Sequence, residues 1–321
     1  MLKNQIKTFL FTTLLLGSSA CFADVYPSRP IKIVVGFSPG GGPDITARAL
    51  GQKISESWKQ GVIVENKLGA GSNIAAQFVA NAAPDGYTLL SVSSAFAISP
   101  AIYSKLPFDA LKDFSGVTLT ATGPAFLIIS PDLKVNNVEE LIALAKKQPG
   151  GLTYSSAGVG SGSHFAAELL RVKTGVEFLH VPTKGIPEGL TEVVSGRVDF
   201  FISPYASAVA MVRDGRAKAI AVTSTTRIKD FPNLPSVAET VSGYKWEFWY
   251  GLLAPVRTPK SILQKLALEI KRINELPDIK ERYASLGIQP VSDTPEAFDK
   301  MLSSEISEFT RLALMAKIKA E

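Results

Sequence analysis

Residues 36–44, "GFSPGGGPD", set three consecutive glycines, two prolines and an acid between the apolar "IKIVV" and the helical "ITARALGQKISESW". A glycine turn that leads from a strand into a helix is suited to holding an anion. Glycine lets the backbone approach closely, and the first-turn amides have no intrahelical partner and sit at the positive end of the helix dipole. Pro43 fits the first turn, and Asp44 favours the same end. The anion is not a nucleotide phosphate. No Gly-Lys-Ser or Gly-Lys-Thr completes a Walker loop, and neither "GGGPDI" nor "GVGSG" has the G-x-G-x-x-G spacing.

Catalytic constellations are sparse. The two histidines, His164 and His180, lie in neither G-x-S-x-G nor H-E-x-x-H. Ser163 precedes His164, but sequence neighbours at a helix start diverge and a triad also needs an orienting acid, so Ser163 reads as a helix N-cap. His164 and Glu168 share a helix face without other clustered donors, too few for a metal. His164 therefore reads as pocket-lining or structural, and His180 as structural. Among aromatics near strand ends, Phe37, Phe96, Tyr205 and Trp249 are candidates to touch a ligand.

These residues need a scaffold, and the chain supplies a β-α-β rhythm. "IKIVVGF", "GVIVENK" and "YTLLSVSS" alternate with helical stretches, and the pattern restarts with "AFLIISP", "LTYSSAG", "EFLHVP" and "VDFFISP" before a helical tail. The strands end in loops of one composition: "SPGGGPD", "GAGSN", "SSAFAIS", "SSAGVGSGSH", "PTKG" and "SPYAS". In open α/β sheets ligands sit beyond such strand ends. With 321 residues, 46% hydrophobic and 20% charged, the chain suffices for two α/β units, which the spacing predicts to be joined by crossings near 120 and 224. A formal net charge of +5, with basic residues scattered, argues against nucleic acid. "MLKNQIK", the apolar "FLFTTLLLG" and "CFA" read as a secretory signal over residues 1–23, with export of a chain starting at Asp24. The single cysteine, Cys21, lies inside it, which leaves no disulfide beyond.

The dispersed motifs "YPSRPI", "PGGGPD", "VENKLGAGSNIAA", "APDGYTLL", "LPFDALKDF", "LTYSSAG", "HVPTKG", "IAVTS", "LPSVAE" and "WYGLLAP" occur in an order that resembles the periplasmic solute-binding receptors of the tripartite tricarboxylate transporter (Bug) family. The resemblance implies a type II-like α/β periplasmic binding protein: two mostly parallel sheets flanked by helices, joined by two crossing strands. The first lobe would comprise residues 24–122 and 225–321, and the second 123–224, with hinges at 120–123 and 223–225. It further implies capture of a small organic carboxylate, handed as a monomer to membrane permease subunits, with no cofactor, metal or chemistry. A sensory receptor docking on a histidine kinase and an exported hydrolase or isomerase are the competing readings. By matching position the first-lobe contacts would be Ser38, Pro39, Gly40, Gly41, Gly42 and Asp44, with Ser72, Asn73, Ser93 and Ser94. The second lobe would supply Ser156, Ala157, Gly160, Ser163, His164, Thr183 and Ser203. Gly41 is expected to need glycine for both its space and its backbone conformation. Two departures bear on the ligand. "VPTKG" puts Thr183 where the family has a tyrosine, and "ISP" puts Ser203 where it has an acid. Both favour a dicarboxylate or aromatic acid without a required amino group.

Overall fold

The computed structural model describes residues 26–319, so the signal expected over 1–23, with Cys21, lies outside the described residues. The first sheet starts with β1 (Ile31–Val35), α1 (Gly42–Trp58), β2 (Val62–Asn66), α2 (Asn73–Ala80), β3 (Thr88–Ser93) and α3 (Ser94–Ile102), and β4 (Phe114–Gly123) then leads out of it. The second is built from β5 (Ala125–Ile129), α4 (Val138–Lys147), β6 (Leu152–Ser156), α5 (Gly162–Thr174), β7 (Phe178–Pro182), α6 (Ile186–Val194), β8 (Phe200–Pro204), α7 (Tyr205–Arg213) and β9 (Lys218–Val222). The chain returns as β10 (Phe248–Pro255) and ends with α8 (Lys260–Asn274), α9 (Pro277–Ser285), β11 (Gln289–Pro290) and α10 (Pro295–Ala316). Among the described residues no helix is long and apolar enough to cross a membrane.

The strand orders are β11-β4-β10-β3-β1-β2 and β7-β6-β8-β5-β9. Pairing is parallel where β-α-β units build the sheet, as for β1 with β2 and β3, and β6 with β7 and β8. It is antiparallel where the crossing strands enter: β10 against β3 and β4, and β5 against β8 and β9. Each sheet is thus mixed, because a chain that leaves one sheet and returns to it must run against the local strands. Covered on both faces, the central strands read as continuous apolar runs, such as "AFLII" in β5, buried at every position.

The crossings lie side by side. Only Pro124 separates β4 from β5, and beside it the Ala125 amide donates to Thr223 Oγ1 at 2.8 Å, while the Thr223 amide donates to the Ala125 carbonyl at 2.9 Å. The return to the first sheet does not come near 224, where the sequence places it. Val222 bridges to Ser236, and Ile228, Phe231 and Leu234 pack on the apolar cluster of the second sheet. The chain re-enters at Trp246, whose amide donates to the Thr223 carbonyl, just before Phe248 pairs with Gly123. We therefore assign residues 224–245 to the second lobe. The tail helix α10 touches both lobes, packing on α3 and β4 in the first, while its Phe309 meets Phe165 of α5 in the second.

Mid-β10, Gly251 is small because Phe298 of α10 lies over it. A Cβ there would come 2.3 Å from the Phe298 Cζ. Overpacking of this kind costs about 1–3 kcal/mol. Gly251→Ala is therefore expected to lower the unfolding free energy by that amount, seen as a lower denaturant midpoint at unchanged slope, and Phe298→Leu in the same chain to recover part of it. An unchanged midpoint for Gly251→Ala would show that the ring has room to move.

Candidate functional site

The carboxyl ends of strands from both sheets open onto a cleft of ≈ 280 Å³. Its first-lobe wall is the β1–α1 loop from Phe37 to Pro43, Ser93 to Ala95 at the start of α3, Gly71, and the side chains of Phe248 and Tyr250. The second-lobe wall contributes Ala157, Val159 to Ser163, Lys184 to Pro187, Pro204 and Ser207. Five helices, α1, α3, α5, α6 and α7, therefore present their N-terminal ends to one space. The amides of Gly42, Ser94, Ala95, Gly162 and Ser163 fall in first turns, where a helix offers no acceptor. No carboxylate lines the cleft, and Lys184 is its one charged side chain among the described residues. The whole cavity favours negative charge.

Ten of the residues singled out in the sequence come together here: Ser38, Pro39, Gly40, Gly41 and Gly42, Ser93 and Ser94, then Ala157, Gly160 and Ser163. The glycines differ in what they supply. Gly40 takes the left-handed φ of +82°, whereas Gly41 is extended at φ −74°, ψ 162°, so the conformational need lies one residue earlier than expected. At Gly42 the need is space, since a Cβ would lie 2.2 Å from the Tyr250 ring and hydroxyl. Gly160 and Gly162 allow the lobes to meet: a Cβ on Gly160 would come 2.3 Å from Ile102 Cδ1, and one on Gly162 would come 2.6 Å from Phe248 and 2.9 Å from Ser94 Oγ. The N-cap of α5 is Ser161, whose hydroxyl accepts from the His164 amide. Ser163, expected in that role, instead accepts from the Ala157 amide at 2.9 Å.

The other seven stand behind the walls, each for a physical reason. Asp44 is buried beneath the glycine loop, where it accepts from the Gly40 amide at 2.9 Å, from Asn66 at 2.8 Å and from Arg48 at 2.9 Å. Burial opposes its charge, but the Arg48, Gly40 and Asn66 hydrogen bonds outweigh that and hold the carboxyl below its usual range. Ser72, in a left-handed conformation, is buried against Gly36, and Asn73 is buried as the first residue of α2. Thr183 gives its hydroxyl to the Ser156 and Gly185 carbonyls at 2.7 and 2.9 Å. Ser203 turns its hydroxyl to the Pro204 carbonyl at 3.2 Å. Ser156 and His164 belong to the support of the second-lobe loop.

That support is a stack of aromatic rings. His164 and His180 lie 4.0 Å apart between centroids, and Tyr154 follows at 4.8 Å from His180. His180 Nε2 is 2.6 Å from Ser156 Oγ, and His164 Nδ1 accepts from the Gly160 amide at 3.2 Å. Both ends of the 156–160 loop thus rest on an imidazole. Glu168, considered with His164 as a metal pair, instead accepts from Tyr154 at 2.6 Å and from Arg171 at 2.7 Å. Burial pushes His164 down to about 4; burial and then the adjacent His164 push His180 down to about 3, against the pull of Glu168.

Of the aromatics weighed in the sequence, Phe37 lines the cleft. Phe96 stacks in the core with Phe108, Tyr205 bonds Asp230 at 2.8 Å, and Trp249 turns away to Glu305 at 3.1 Å. Strand alternation explains the miss: in β10, residues 248 and 250 share the face opposite 249. Gly185 before "IPEG" was a usable signal for α6, since proline in a first turn marks a helix start.

Because the folded pKa values of both histidines lie below the unfolded value near 6.5, their contribution to stability is complete above that value and is lost as pH falls toward 4 and then 3. Asp44, also depressed, adds a further loss at lower pH still. The denaturant midpoint is expected to fall between pH 6.5 and 4, and less steeply in His164→Gln. Parallel curves for the two proteins would remove His164 from the acid response.

A family model described as Tripartite tricarboxylate transporter family receptor matches residues 46–316. The UPF0065 protein of the tcbD-tcbE intergenic region of Pseudomonas sp. (strain P51) is 35% identical over 299 residues, covering 92% of this chain and 89% of that one. Among solved structures, R. palustris Rpa4515 with adipate superposes with a TM-score of 0.86 at 29% identity, covering 92% of this chain and 99% of that one. MatC from Rhodopseudomonas palustris with bound malate gives 0.81 at 29% identity, covering 89% and 99%. By family match, sequence and fold together, the chain belongs to the tripartite tricarboxylate transporter family receptors.

Proposed function

We propose that this protein is a periplasmic substrate-binding protein that captures a small organic carboxylate between its lobes and delivers it to the membrane permease subunits of a tripartite tricarboxylate-type transporter. The observation that carries this reading is the convergence of five helix N-termini, from both lobes, on a cleft whose described lining holds no acid. Two relatives of the same fold are described with dicarboxylates, adipate and malate, which supports the ligand class. The family and fold are those of substrate-binding proteins rather than enzymes.

Each helix terminus contributes about 0.3–1 kcal/mol toward an anion, and up to about 2 where partly buried. Micromolar affinity needs about 8 kcal/mol. No single terminus suffices, so binding requires both lobes to act on one ligand. The ligand in turn favours the closed arrangement, in which its contacts exist. An ammonium group in the ligand would find no carboxylate to pair with and would pay for its desolvation. At ≈ 280 Å³ the cleft lies at the small end of ligand pockets, about 300–1,000 Å³, which favours a compact acid.

Gly41→Val tests this site. The extended backbone at 41 accepts valine, and a Cβ there meets only the Ser38 carbonyl at 3.3 Å and Pro43 Cδ at 4.0 Å, so the added branch fills the cleft rather than the core. Calorimetry with adipate and malate is expected to show binding by the wild type and at least a tenfold loss in the variant, at an unchanged denaturant midpoint. Normal binding by the variant would move the site elsewhere.

A further inference from the structure

Lys184 is the residue in the cleft that the backbone account leaves unused. Every other lining group is a backbone amide, a hydroxyl or an apolar surface, whereas Lys184 brings a full positive charge. It is exposed and makes no ion pair with a carboxylate among the described residues. Its place at the rim is built. Thr183 Oγ1 ties the turn to the Ser156 and Gly185 carbonyls, and the Lys184 amide donates to Glu188 Oε2 at 2.8 Å. Three hydrogen bonds therefore fix the backbone of a residue whose side chain is left exposed and unmatched.

The walls beside it are apolar. Ile186 and Pro187 follow on its own lobe, and Phe37, Pro39 and Phe248 line the opposite one. The cleft thus combines amide donors at the helix starts, which need no side chain, with an apolar middle and one cation on the turn before α6. A monocarboxylate satisfies the amides and leaves the ammonium in water. A dicarboxylate satisfies both.

We infer that Lys184 is the specificity-determining residue that receives the second carboxylate of a linear diacid, so that the receptor selects diacids over monoacids of equal chain length. This rests on the carboxylate-receptor reading above. The turn fixes the backbone that carries the charge, and Glu188 accepts from the Lys184 amide at 2.8 Å without an ion pair to its ammonium among the described residues. An exposed cation is screened by salt, with a Debye length of about 10 Å at 0.1 M, so the discrimination is strongest at low ionic strength.

The test is calorimetric titration of adipate and hexanoate into the wild-type protein, Lys184→Gln and Lys184→Arg, at low and high salt. The wild type is expected to prefer adipate at least fivefold, with the preference shrinking as salt rises. Lys184→Gln should lose the preference by weakening adipate alone, and Lys184→Arg should keep it. If Lys184→Gln weakens both acids equally, or neither, Lys184 does not read the second carboxylate and the assignment falls while the receptor reading stands. If the wild type binds neither these acids nor malate, the receptor reading falls and takes the assignment with it.

Discussion

Two helix N-termini of like partial charge, those of α3 and α5, meet across the cleft where Gly162 lies against Ser94 and Phe248. Each carries about half a positive charge. With nothing between them the pair is mutually repulsive, and an anion turns that repulsion into two attractions. The small residues at 94, 160 and 162 set how near the termini come, and the loops around them have the shape they need for that approach. A bulky side chain at 160 or 162 would separate the lobes before any ligand were touched.

The sequence made the β-α-β rhythm and the glycine loops that lead into helix starts at strand ends legible, because they rest on local rules of helix starts and turns. The loop from Ser38 to Gly42 lines one cleft with Ser94, Ala157 and Ser163, residues that share its small, hydroxyl-bearing composition at strand ends. What failed depended on direction. Whether Phe248 and Tyr250 or Trp249 face the cleft is a matter of strand parity, fixed by how β10 sits between β3 and β4. Whether Thr183 or Lys184 lines the cleft depends on which carbonyls the threonine finds, and those belong to Ser156 and Gly185. The extent of the second lobe was hidden too, because Phe231 and Leu234 show no strand or helix period to declare which core they join.

The two histidines show how a motif can matter without touching anything that enters the cleft. His164 and His180 hold Gly160 and Ser156 from behind, and their stacking at 4.0 Å is compatible with neutral rings in a buried site. Asp44 does the corresponding task in the first lobe, from beneath Gly40. Each ligand loop is therefore braced by a titratable side chain turned away from the opening, with an opposite requirement: Asp44 charged, the imidazoles uncharged.

A cavity walled by main-chain amides is hard to damage by substitution, since most side-chain changes leave the peptide groups in place. Exchanging one lining side chain, such as Lys184, Ile186 or Ser207, alters the side-chain surface of the cleft while the array of helix-start amides persists. The side-chain half of the wall can therefore change its chemistry while the main-chain half keeps its own. Tolerance of side-chain change follows from the architecture of the wall itself.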